Sequence, residues 1–292
     1  MITRFAPSTT GEAHPGTLLS ALLVWLEARR RGGKAILRLE DLDTTRAKGT
    51  WAKDLEAACI ELGLVWNAVH VQSRFTAAHE AALDQLEAAG RLYPCSCSRS
   101  DRAGGRRAPD GGWAYENTCR DQPLVGGWRA QTEAVRMRLD DDHIALVDDG
   151  GMDLSQTPAV DMGDPIVRRK DRVIAYHLAV VVDDAAAGIT DVIRGKDIAP
   201  STATQVMLQR VLGLPTPRYR HHFLLLEPGK DGKLSKLHGS LPYSELRQWF
   251  TPKEIIGKLA HVAGLTDDDE PRSVRRLELD WARVPTEDRT FG

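Results

Sequence analysis

The chain has 292 residues, 42% hydrophobic and 27% charged, with 39 basic against 41 acidic side chains for a net charge of −2. That balance excludes a disordered polyelectrolyte, and it excludes polyanion binding through global charge, so a nucleic-acid partner would have to be met by local patches. The longest nearly apolar run, Ile174 to Val182, is far short of the ~18 residues a membrane span needs, and Arg4, Pro7, Gly11 and Glu12 break up any apolar signal region at the start.

A cytoplasmic protein with no membrane partner and no obligate protein partner is therefore expected. At roughly 150 residues per domain the length suggests two units. Residues 2–6 read as a short strand that stops at Pro7. A polar loop follows, and then Leu18, Leu19, Leu22, Leu23 and Leu26 recur at helical spacing. Residues 35–39 form the next strand, so the first forty residues read as a β-α-β unit with the usual right-handed crossover. Helical stretches at about 50–62 and 74–90 extend the alternation, which favours a parallel sheet covered by helices.

Between Pro94 and Trp128 the periodicity gives way to glycine, proline and a cysteine cluster, which reads as an insertion. Regular patterning returns at 135–139, 175–182, 189–194, a helix at about 201–212, and 222–226, where the sheet resumes. The last 52 residues are mostly helical in pattern. These breaks divide the chain into a discontinuous α/β domain at 1–94 and 135–240, an insertion at 95–134 and a helical C-terminal segment at 241–292.

Three features carry chemistry. His14-Pro15-Gly16-Thr17 opens the first helix. A helix N-terminus presents unpaired N–H groups and the positive end of its dipole to an anion, and Pro15 suits its first turn. Gly232-Lys233-Leu234-Ser235-Lys236-Leu237 places two lysines three apart on a glycine-rich loop, able to converge on a polyphosphate. Each motif alone is also what a surface turn would show. Cys95, Cys97 and Cys119 fall within 25 residues of a chain without an export signal, a pattern that suggests a metal more than disulfides. Spacing alone supports three thiolate ligands. Cys59, inside a helix, reads as a plain buried thiol. The histidines at 177, 221 and 222 read as core or surface residues. Basic runs at 28–38 and 167–172 are candidate RNA-facing patches, with solvated faces as the alternative.

Taken in order, Arg4-Phe5-Ala6-Pro7-Ser8, Gly11, His14-x-Gly16-Thr17, Arg38-Leu39-Glu40-Asp41-Leu42-Asp43, 179–184, 192–195 and Lys233-Leu234-Ser235-Lys236 resemble the catalytic domain of the class I glutamyl-tRNA synthetases. The first loop resembles the "HIGH" signature and the second "KMSKS". Because 52 residues after position 240 are too few for the family's anticodon-binding part, the chain is most similar to the short glutamyl-queuosine tRNA(Asp) synthetase paralogues. Cys95-x-Cys97 followed by Tyr115 and Cys119 resembles their metal site, and only this resemblance adds Tyr115 to the three thiolates, around one structural zinc ion.

The resemblance implies an α/β, Rossmann-like parallel sheet with a zinc-containing insertion. It implies ATP, with magnesium, as co-substrate, L-glutamate as the activated amino acid and queuosine-bearing tRNA(Asp) as acceptor. In matching positions, Arg4, Ser8, Glu40, Tyr176 and Arg194 would bind glutamate. His14, Gly16, Thr17, Lys233, Ser235 and Lys236 would bind ATP, with His14, Lys233 and Lys236 acting in catalysis. Pro15, Thr17 and Leu237 depart from the signatures, Thr17 replacing a second histidine. Two rival readings remain at this level: activation of glutamate for another amine or carrier, and a catalytically silent RNA-binding module.

Overall fold

The computed structural model describes residues 1–98, 100–226 and 241–291. In chain order the elements are β1 (Ile2–Phe5), α1 (Pro15–Arg30), β2 (Lys34–Leu39), α2 (Gly49–Glu61), β3 (Ala68–Val71), α3 (Thr76–Ala88), β4 (Leu92–Cys95), β5 (Ala134–Met137), α4 (Pro158–Asp161), β6 (Ile166–Arg168), α5 (Tyr176–Ala186), β7 (Asp191–Gly195), α6 (Thr202–Leu212), β8 (Arg218–His222), β9 (Leu225–Leu226), α7 (Tyr243–Trp249), α8 (Pro252–Val262) and β10 (Arg289–Thr290). They gather into two units, one of residues 1–73, 189–196 and 218 onward, the other of 74–188 and 197–217.

In the first unit β1, β2 and β3 pair in parallel, with Arg4 opposite Ile36 and Arg38 opposite His70. A second parallel pair, β7 and β8, lies beside β1, where the Thr190 N–H donates to the Ile2 carbonyl at 2.9 Å. The leucines of α1 at 18, 19, 22, 23 and 26 are all buried, because this crossover helix is covered by the sheet and by helices. Phe5, Leu37 and Leu39 join them in one apolar core, as do Leu246 of α7 and Ile255, Ile256 and Leu259 of α8. Residues 241–291 are therefore part of this unit's core. Helix α8 opens with a capping box in which the Thr251 hydroxyl accepts from Glu254 N–H and the Glu254 carboxylate accepts from Thr251 N–H. Beyond α8 the segment runs through turns, in which Arg272 pairs with Asp268 at 2.6 Å and Arg283 with Asp267 at 2.5 Å.

In the second unit β5 does not extend the parallel sheet. It pairs antiparallel with β4 and β6, with Arg136 opposite Tyr93. The apolar run at 175–182 is the helix α5, packed on α3 and α6. A helix buried almost all round carries no 3.6-residue signature, so its pattern could not be told from a buried strand.

Between α3 and α5, His79 Nε2 lies 2.6 Å from Asp183 Oδ1, with the two side chains 0% and 1% exposed. Removing one partner from such a buried pair costs about 3–5 kcal/mol. His79→Ala is expected to lower unfolding stability by that amount, read as a shifted urea midpoint at constant slope; a change under ~1 kcal/mol would show that the pair does not matter.

Candidate functional site

Four of the predicted site residues meet at one edge of the first unit's sheet. Arg4 and Arg194 lie near the carboxyl ends of the adjacent strands β1 and β7, Glu40 follows β2 immediately, and Ser8 bridges to Glu40 in parallel register. The loop after β1 is stitched to the end of β2: Glu40 N–H donates to Pro7 O at 3.1 Å, and Thr9 donates to Glu40 O through its N–H and its hydroxyl, each at 3.0 Å. Ligands of open parallel sheets bind at this carboxyl edge, where loops leave the strands and backbone groups are not consumed by pairing.

The two arginines are 4% and 8% exposed, a degree of burial uncommon for arginine. Arg194 Nε donates to His221 Nε2 at 3.1 Å, and its guanidinium carbon sits 5.1 Å from the centre of the Tyr219 ring. Asp191, the acid next to Arg194 in sequence, is bound by Arg31 at 2.6 Å. His221, read from sequence as a bystander, thus orients Arg194; the β7–β8 register that places the two opposite each other has no local signal. Arg38, 2% exposed, reaches Glu40 Oε1 at 3.2 Å. Asp41 accepts from the Ser73 N–H and hydroxyl, and Asp43 pairs with Arg46, both as loop residues.

At the start of α1, His14 is the N-cap in extended conformation, makes no side-chain capping bond, and is followed by Pro15 with no acid in the first turn. That start favours an anionic guest. Gly16 lets the His14 ring fold over the backbone: a Cβ there would sit 3.2 Å from the ring. His222 Nδ1 donates to the Phe223 carbonyl at 2.7 Å, and its Nε2 lies 3.0 Å from the Ser20 hydroxyl of α1. Tyr176 is the exposed first residue of α5, in the second unit. Lys233, Ser235 and Lys236 lie outside the described residues.

In the second unit Cys95 ends β4, and the sulfur atoms of Cys95, Cys97 and Cys119 lie within 4.8 Å of one another. Cys97 and Cys119 are 3.5 Å apart, too far for a disulfide at ~2.05 Å. The Tyr115 hydroxyl joins them, 3.5 Å from Cys95 Sγ, and accepts from the Cys119 N–H at 2.9 Å. Gly163 pins Tyr115 in place: its φ is +80°, and a Cβ there would lie 1.9 Å from the Tyr115 carbonyl oxygen.

Burial and the nearby Cys119 and Cys95 push the Cys97 thiol up to about 12, and burial raises Tyr115 as well. Burial also opposes ionisation of Cys95, but hydrogen bonds from Tyr115 and Arg136 outweigh it and hold that thiol below its ordinary value. The four donors cannot all be anionic without a cation among them. A tetrahedral ion with metal–sulfur bonds of ~2.3 Å would hold sulfurs about 3.8 Å apart, so the observed cluster fits such an ion. Buried Cys59 belongs to the other unit, its thiol pushed up to about 12 by burial.

The basic runs are largely consumed within the fold. Arg29 donates to Val274 O at 3.1 Å, Arg30 pairs with Glu27 at 2.8 Å and Arg31 with Asp191. Arg168 is buried and donates to Glu133 O at 2.8 Å, Arg169 pairs with Asp171 at 2.6 Å and Lys170 with Glu133 at 3.0 Å. Partners distant in sequence, invisible to a local charge count, satisfy most of these cations. Among the described residues no helix is long and apolar enough to cross a membrane.

Comparison with known proteins identifies the family and the fold. The family described as tRNA synthetases class I (E and Q), catalytic domain, matches residues 1–284. A glutamyl-Q tRNA(Asp) synthetase of Symbiobacterium thermophilum is 40% identical over 307 aligned positions, covering 97% of this chain and 94% of its own. One from Thiobacillus denitrificans is 45% identical over 240 positions, 80% of this chain and 76% of its own. The crystal structure of a glutamate–tRNA synthetase from Elizabethkingia anophelis shares the fold, with a TM-score of 0.80 at 24% identity, over 100% of this chain and 68% of that one.

Proposed function

Since the chain belongs to the class I tRNA synthetase (E and Q) family and is a ligase of the aminoacyl-tRNA synthetase kind, we propose that it activates L-glutamate with ATP in the absence of tRNA and transfers the glutamyl group to the queuosine base of tRNA(Asp). The α-carboxylate oxygen of glutamate attacks the α-phosphorus of ATP and the bond to pyrophosphate breaks; an acceptor hydroxyl then attacks the carbonyl carbon of the adenylate, losing its proton, and AMP leaves. The observation that carries this reading is the meeting of buried Arg4 and Arg194 with Glu40 and Ser8 at one sheet edge.

Two guanidiniums suit the side-chain carboxylate of glutamate, because their planar donors match it bidentately and would be partly frustrated by an amide. Glu40 receives the α-ammonium, and Ser8 adds a hydrogen bond. His14 and the N–H groups at Gly16 and Thr17 face the ATP phosphates. Lys233, Ser235 and Lys236 complete that grip, with magnesium, and the two lysines oppose the charge that grows on pyrophosphate. Cys95, Cys97, Tyr115 and Cys119 hold one structural zinc ion, which ties together the 95–134 insertion that guides the acceptor. The acceptor specificity for which these relatives are named supports the acceptor assignment.

The test combines two assays. Glutamate-dependent ATP–pyrophosphate exchange without tRNA is expected. Labelled glutamate should then load tRNA whose 3′-terminal adenosine has been removed, and should not load tRNA lacking queuosine. Loss of label on trimming would return the chain to ordinary aminoacylation, and exchange without any tRNA labelling would point to another acceptor.

A further inference from the structure

The reading that Cys95, Cys97, Tyr115 and Cys119 hold a divalent metal leaves an electrostatic remainder. Three thiolates alone exceed the charge of a divalent ion, and a phenolate would widen the excess. With Cys95 and Tyr115 buried and Cys97 and Cys119 half-buried, such a centre is costly unless a fixed positive charge lies beside it. One does. Arg136, on β5, is 3% exposed, and its guanidinium carbon lies 3.5 Å from the centre of the Tyr115 ring. Antiparallel pairing sets it opposite Tyr93, two residues before Cys95 on β4, and so on the face that carries the Cys95 side chain.

Outside the cluster, the Asp164 carboxylate acts on Arg136, but it is shared with Arg120. The Arg136 Nη1 donates to the backbone carbonyl of Asp164, a neutral acceptor. Its Nε is buried with no hydrogen-bond partner. The Asp164 carboxylate, the nearest candidate for an ion pair, is occupied by the Tyr93 hydroxyl at 2.8 Å, the Leu139 N–H at 2.8 Å and Arg120 at 3.0 Å. An always-charged side chain is thus held against the ring of one donor, with an unused N–H.

We propose that Arg136 is the counter-charge of the metal centre, a positioning residue that is not itself a ligand and that raises the affinity of the Cys95–Cys97–Tyr115–Cys119 shell for a soft divalent cation. The proposal rests on the metal reading, and the experiment separates the two. Zinc affinity of the full chain is measured by competition with a chromophoric chelator, and cobalt(II) loading is followed by its thiolate-to-metal charge-transfer band. Arg136→Met, which keeps the length but not the charge, is expected to weaken zinc binding 10- to 100-fold, the range for groups supporting ligands from outside the shell. Arg136→Lys, which keeps the charge, should stay within a few-fold of the parent, with the cobalt band retained. Equal affinity in Arg136→Met and the parent, or equal losses in the Met and Lys variants, would overturn the counter-charge role. A parent that binds no zinc, or whose binding survives Cys97→Ser and Cys119→Ser, would overturn the metal reading instead. If Arg136→Met does not fold, Arg136→Gln, which can still donate to the Asp164 carbonyl, makes the same comparison.

Discussion

Arg194→Ala is expected to reduce kcat/KM for glutamate activation by roughly 30- to 5,000-fold, corresponding to the about 2–5 kcal/mol lost when one member of a buried, hydrogen-bonded charge pair is removed. The size follows from the position of the side chain. Arg194 is almost fully buried at the carboxyl end of β7, is oriented by His221, and loses its neighbouring acid to Arg31. A glutamate carboxylate arriving there would find a desolvated guanidinium already aimed, so little ordering entropy is spent on binding. The alanine variant should also discriminate less between glutamate and glutamine, since the charged selector is gone and the amide is no longer penalised. His221→Ala should have a smaller effect, confined mainly to the KM for glutamate. Pyrophosphate exchange measures all three quantities, and undiminished glutamate use by the Arg194 variant would remove this side chain from the site.

Metal removal is expected to have the second large effect, and in a different part of the chain. Structural zinc contributes ~10–16 kcal/mol of apparent binding free energy in zinc-finger peptides, and that energy is largely folding energy. Among the described residues of 95–134, regular structure is confined to Cys95 at the end of β4, Ala134 at the start of β5 and short 3-10 turns, so a metal held by the cluster would tie together a segment with little of its own. Chelation, or Cys119→Ser, should make 95–134 the first site of proteolytic cleavage and abolish loading of tRNA. Glutamate-dependent exchange should persist, because Arg4, Glu40, Arg194 and the start of α1 all belong to the other unit. A fall in exchange that parallels the loss of metal would show that the cluster also supports the activation site.

The outcome for individual residues shows which signals are readable along the chain. The strand-loop-helix-strand at the start was legible because leucines at 18, 19, 22, 23 and 26 repeat with the helix period and Pro7 and Pro15 punctuate it. The cysteine cluster was legible because its members lie within one short window. The antiparallel placement of β5 and the helical state of 175–182 were not, since a buried run looks alike in a strand and a helix until its neighbours are known. The partners of the basic runs were equally illegible: Arg29 and Arg31 are satisfied by Val274 and Asp191, far along the chain.

The sequence by itself determined the β-α-β start, the anion-favouring entry to α1, the three-thiol window and the family resemblance, all of which depend on spacing between near neighbours. Only the tertiary structure decided that His221 orients Arg194, that Arg38 reaches Glu40 and that Arg136 lies against Tyr115. Those contacts follow from strand register and from which acids other arginines have already taken, and such long-range pairings are settled by competition among all the buried polar groups at once.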